Sequence, residues 1–234
     1  MHAIPARSTR RTNLTLAGLI AVAGAGLALV FAGTQEGQAD AGHSHHDTTV
    51  AANTTHKQAA FQDAMRKLWE DHITWTRLAI ISLAHDLPDL QATEARLLKN
   101  QQDIGNAIKP YYGTPAGNRL TALLKEHILG AVALLQAAKA GDQALISRRS
   151  DEWYLNGNEI ADFLANANPR NWPQKAMRRM MKGHLDQTLI EAVNRLGGNY
   201  DADVRDYDKI HHHILRMADT LSTGIIRQFP RRFR

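Results

Sequence analysis

Residues 68–77 read LWEDHITWTR. A histidine stands at the centre of this stretch, with Trp69 and Trp75 three positions to either side. Extending outward, Phe61, Met65, Leu68, His72, Thr76, Ala79 and Leu83 recur at steps of three and four, the spacing of one face of an α-helix. His72 therefore lies on the apolar stripe rather than on the solvent side. The fold follows from asking whether other segments repeat that arrangement.

They do. From Ala59 onward the helical period is nearly continuous, and no strand-like alternation of any length interrupts it. Breakers such as HDLPD, KPYYGTPAGN, AGD, NANPRNWP and GGNYD divide the chain into six segments, at about 57–85, 91–110, 118–140, 142–167, 174–197 and 202–228. Connections this short favour antiparallel neighbours. The expected fold is all-α, an up-and-down bundle of about six antiparallel helices.

The third segment carries Leu120, Leu124, His127, Ala131 and Leu134 on one stripe, and the fifth carries Met177, Met181, His184, Thr188 and Glu191. The last gives Val204, Tyr207, His211, Ile214, Ala218, Leu221 and Ile225. In the second and fourth segments, Asn100 and Asn156 hold the corresponding place, with Asp103 and Glu159 nearby. His72, Asn100, His127, Asn156, His184 and His211 are separated by 28, 27, 29, 28 and 27 residues. Each falls near the middle of its helix, so antiparallel packing brings them to one level. A central polar layer is the expectation.

Four neutral imidazoles buried together need donors and acceptors matched all round. A transition-metal ion removes that requirement, and imidazole suits Zn, Cu, Fe or Ni. His72, His127, His184 and His211 are accordingly the candidate ligands. Asn100, Asp103, Asn156, Glu159, Glu191 and Asp208 are the candidate partners that would orient them. The Glu-x-x-His pairs of ferritin-like di-iron bundles are missing, and so is the C-x-x-C-H signature of c-type haem. The alternatives are a metal-free structural or protein-interaction module whose polar layer sets helix register, and a metal-dependent enzyme. No catalytic motif is identified.

Glycines at 105, 130, 157 and 183 fall close to the layer, where they leave room for bulky neighbours such as Trp69, Trp75 and Trp153. His212 and His213, beside the seam residue, are expected to face solvent or the rim.

The N-terminus bears on location. Arg7, Arg10 and Arg11 precede NLTLAGLIAVAGAGLALVFAG, an uncharged and mostly apolar run, followed by Ala39-Asp40-Ala41, a small-x-small cleavage site. Residues 1–41 read as a signal peptide or a membrane anchor, and either places the remainder outside the cytoplasm, as a periplasmic, secreted or anchored protein. TRRTNL partly matches the twin-arginine export pattern and departs from it at Asn13. Residues 42–56 are polar and read as a flexible spacer. Its His43, His45 and His46 are a second candidate for copper or nickel, against the plainer reading of a solvated tract. The bundle domain is 57–234.

Composition agrees with a globular helical domain: 44% hydrophobic, 22% charged and 6% aromatic residues, with a net charge of +5. The basic residues alternate with acidic ones and form no aromatic-basic platform, so nucleic acid is not an expected partner. The absence of cysteine excludes disulfides, thiolate metal sites and cysteine nucleophiles.

LWEDHITWTR, DIGNAIKPYYG (103–113), LLKEHI (123–128), ANPRNWP and HILRMAD (213–219) together make the chain resemble a family of exported bacterial all-helical proteins of uncharacterised function. The resemblance spans about residues 66–231 and implies an all-helical, exported protein. One departure is Asn156-Gly157-Asn158-Glu159, where the family pattern leads one to expect Asn-Ala-Asp-Glu, which bears on any ligand role for position 158.

Overall fold

The computed structural model describes residues 55–234. The export or anchor segment, nearly all of the spacer, and His43, His45 and His46 lie outside the described residues. Five α-helices follow one another: α1 (His56–Ala84), α2 (Leu90–Ala140), α3 (Gln143–Ala167), α4 (Gln174–Leu196) and α5 (Tyr200–Gln228), with a closing 3-10 turn at Pro230–Phe233. There is no strand among the described residues.

The second and third of the six expected segments both lie within α2, as two helical arms that meet at KPYYGTPAGN, where the backbone leaves helical geometry at Gly113. Gly113 has φ 84° and ψ 165°, a conformation essentially confined to glycine, and it reverses the chain inside α2. Along a straight helix, Gly105 and Gly117 would be roughly 18 Å apart. Instead a Cβ placed on Gly105 would lie 2.6 Å from the carbonyl oxygen of Gly117, and one on Gly117 equally close to that of Gly105. The two arms of α2 thus cross backbone to backbone, which only glycine on both sides permits.

Helix ends follow local chemistry. Thr55 caps α1 by accepting from the amide of Gln58, whose side chain accepts in return from the Thr55 amide, a reciprocal capping box. Gly141, at φ 72°, ends α2, and Asp142 then caps α3 through the Leu145 amide. The Thr55 hydroxyl also donates to the Phe233 carbonyl at 2.6 Å, tying the two ends of the described chain together.

Cross-helix pairs show the antiparallel order. Arg66, Glu70 and Arg77 of α1 meet Asp219, His211 and Asp203 of α5 in descending sequence. Leu68 and Trp75 meet Asn100 and Arg96 of α2. Leu123 and His127 meet Asn156 and Trp153 of α3, and Tyr154 and Asp162 meet Asp186 and Arg178 of α4. α4 and α5 close the ring through Asn194 with Asp206 and Met180 with His213. The core is continuous through the bundle, from Met65 and Ile73 through Leu123, Ile160 and Leu185 to Ile214.

α5 departs from the expected stripe. Its buried face begins Asp203, Asp206, Ile210, Ile214, whereas Val204 is 52% exposed. Apolar-stripe reasoning assigns Val inward and Asp outward. Here Arg77 and Arg195 draw the Asp203 carboxylate into the interior, and the first turns of the helix are rotated by one position.

Candidate functional site

Three of the four expected histidines meet. His72 of α1, His127 of α2 and His184 of α4 are all buried, at 2–3% exposure. The ring centroids of His72 and His184 are 5.6 Å apart, and those of His127 and His184 5.8 Å. Trp69 stands edge-on to His72 and Trp153 stacks on His127, its indole N–H donating to the His127 carbonyl at 3.1 Å. Aromatic walls and the helix backbones thus hold these imidazoles in place.

His211 does not join them, correcting the sequence-based expectation. Its side chain is 27% exposed and its Nε2 lies 2.6 Å from Glu70 Oε1 at the surface. The rotation of α5 turns His213 inward instead. That ring is nearly parallel to His184 at 6.5 Å between centroids, and its Nε2–H donates to the Met180 carbonyl at 3.0 Å. Gly183 is the sequence signal for this, because a Cβ there would meet the His213 ring at 3.3 Å.

The expected supporting residues divide. Asn156 Oδ1 accepts from Nδ1–H of His127 at 3.1 Å, and its amide donates to the Leu123 carbonyl. Asn100 is buried and donates to the Leu68 carbonyl without touching a histidine. Asp103 pairs with Lys99 on its own helix, while Glu159 and Asp208 are exposed. Glu191 is fully buried but faces Arg77, not the histidines. Gln101, which stripe reasoning passed over, is the partner of His72: its Nε2 donates to the Leu97 carbonyl and Asn100 Oδ1 and lies 3.2 Å from Nδ1 of His72.

These partners assign protons. Nδ1 of His72 faces an amide nitrogen that cannot accept a hydrogen bond, which places its proton on Nε2. Nδ1 of His127 donates, so its Nε2 carries a lone pair. Nδ1 of His184 is buried with no partner, and the Oε1 of Gln101 is in the same state. Burial lowers the pKa of His72 to about 3, helped by the nearby His127, and that of His127 to about 4. Burial and then the neighbouring rings push His184 well below its ordinary value. The three are neutral near pH 7, the form in which imidazole ligates metals.

All three rings line an internal cavity of about 30 Å³, whose other walls are apolar and include Met65, Met181 and Met217. That volume holds about one or two water-sized groups and no porphyrin. As the side chains stand, no group of three or more His, Asp or Glu among the described residues is arranged to hold a metal ion.

A second polar cluster lies toward the end of α1. Arg77 bonds both Glu191, at 2.7 Å, and Asp203, at 2.8 and 3.0 Å, with Arg195 behind. Both carboxylates are fully buried. Burial pushes Glu191 up to about 7 against the pull of Arg77.

Compared with protein-family models, curated proteins and solved structures, the chain matches none.

Proposed function

We propose that this protein is an exported or membrane-anchored helical bundle that binds a transition-metal ion through His72, His127 and His184, for storage, sensing or delivery. The two arms of α2 count separately in this reading, giving six rods around one site. The resemblance to exported all-helical proteins, and the extracytoplasmic location, belong to the same proposal.

The observation that carries it is the partnerless Nδ1 of His184, buried beside two other neutral imidazoles and a cavity. Leaving such a nitrogen unsatisfied costs about 1–3 kcal/mol, which a bound ion would offset. Two imidazoles on one ion at 2.0–2.1 Å have centroids roughly 5 to 6 Å apart, and the two ring pairs stand at 5.6 and 5.8 Å. Each of these two pairs could share an ion after rotation of its rings, and bringing His72 and His127 together onto the same ion as His184 requires further adjustment of their side chains. For His72 to ligate through Nε2, the Gln101 amide must turn over and present its partnerless Oε1 to Nδ1–H.

A second reading is favoured by the bonds from Gln101 to His72 and from Asn156 to His127: a metal-free layer that fixes the register of neighbouring helices, in a module that binds other proteins. Elemental mass spectrometry decides between them. It is applied to the full chain with His43, His45 and His46 replaced by Ala, after exposure to Zn, Cu, Ni and Fe in turn. Near-stoichiometric metal that disappears in a His72→Ala, His184→Ala variant supports the first reading. No bound metal under any condition leaves the second.

A further inference from the structure

Resting on the metal-binding reading, the donors around the cavity narrow the choice of ion. We infer that the site is selective for a soft monovalent cation, Cu(I), held by the imidazoles of His72, His127 and His184 together with methionine thioether from the same cavity wall.

Every donor facing the cavity is uncharged. Of the six methionines in the chain, three line it: Met65, Met181 and Met217. Met181 precedes His184 by three residues, so both point from one face of α4. Met65 lies two turns before His72 on α1, and Met217 one turn after His213 on α5. Thioether and imidazole together are a donor set that favours Cu(I) over harder ions.

Charge gives the same answer independently. The nearest buried carboxylate along α4, Glu191, is two turns beyond His184 and engaged by Arg77. Moving an ion into a low-dielectric interior costs in proportion to the square of its charge, so a divalent ion is roughly four times as costly as a monovalent one when no anion compensates it. A three-histidine zinc site also keeps a bound water or hydroxide. Apart from the indole N–H of Trp69, which could donate to such an oxygen, the remaining lining is aliphatic or thioether, such as Ile104, Leu124 and Ile160, and offers no anion to balance a divalent ion.

The test uses the full chain with His43, His45 and His46 replaced by Ala. Under anaerobic conditions, Cu(I) held by a colorimetric chelator is titrated with the protein, and Zn(II) is titrated in a parallel series. The expected result is one Cu(I) per chain, undisplaced by a tenfold excess of Zn(II), with sulfur at about 2.3 Å in the copper X-ray absorption spectrum. A Met181→Leu, Met217→Leu variant keeps the core volume and should lose at least tenfold in Cu(I) affinity with its unfolding midpoint little changed. His-dependent binding of Zn(II) with no preference for Cu(I), or Cu(I) binding indifferent to the methionines, would overturn this inference while leaving the metal-binding reading in place. Absence of any metal would overturn both.

Discussion

The guanidinium of Arg77 on α1 holds the carboxylate of Asp203 on α5 with both terminal nitrogens, at 2.8 and 3.0 Å, and reaches Glu191 on α4 with one of them. One side chain thereby joins three helices. Arg77→Met leaves two buried carboxylates without their main partner and should cost about 3–5 kcal/mol in urea unfolding. Adding Glu191→Gln and Asp203→Asn to it should restore part of that loss. Equal stability of the single and triple variants would show that the network does not act as a charge-compensated unit.

Acidification should destabilise the bundle. The folded pKa values of about 3 for His72 and about 4 for His127, with His184 also lowered, lie below the unfolded value of 6.5. Between these limits the unfolded chain binds more protons, so stability falls as pH drops from about 6.5 toward 3. Glu191, raised from 4.5 to about 7, acts oppositely: it favours the folded state at low pH and loses that contribution as pH rises from 4.5 through 7. Three histidines against one carboxyl make the net slope positive between pH 4 and 6.5. Urea midpoints across that range check it, and replacing all three histidines with Gln should flatten or invert the slope.

His211 should be dispensable. Its contact with Glu70 is a surface pair whose partner is 48% exposed, and such pairs contribute about 0–1 kcal/mol. His211→Ala should leave metal content unchanged and the unfolding free energy within about 1 kcal/mol. Loss of metal in this variant alone would return His211 to the site and count against the geometry described.

The reversal in α2 should be intolerant of side chains. Gly113→Ala is expected to cost about 1–3 kcal/mol through backbone strain. Gly105→Val should cost more than this, because its side chain would meet both the Gly117 carbonyl and Thr121 across the crossing. Thermal unfolding of both variants, beside Gly198→Ala, which carries left-handed backbone strain at φ 74° with open space around it, separates strain from crowding.

Much of the bundle is legible from sequence because a helix's interior face is a local property. Steps of three and four near His72, His127 and His184 place each ring inward whatever the neighbours are, and equal segment lengths bring those rings to one level. Departures arise where a distant charge competes with local hydropathy. Asp203 turns inward for Arg77, 126 residues earlier in the chain. That rotation sends His211 to the surface and His213 toward His184. Gln101 is similar: nothing at its own position marks it, and only the approach of α1 makes it the partner of His72.

The sequence alone determined the all-helical class, the positions of the main breaks and the inward direction of three histidines, since helical periodicity and turn chemistry act within a few residues. Tertiary structure alone decided that the two arms of α2 cross at Gly105 and Gly117 and that His213, not His211, turns toward His184. It also decided which amides orient the rings and that three methionines share their cavity. Those outcomes depend on the azimuth at which helices distant in sequence meet, and packing and buried charge set that azimuth.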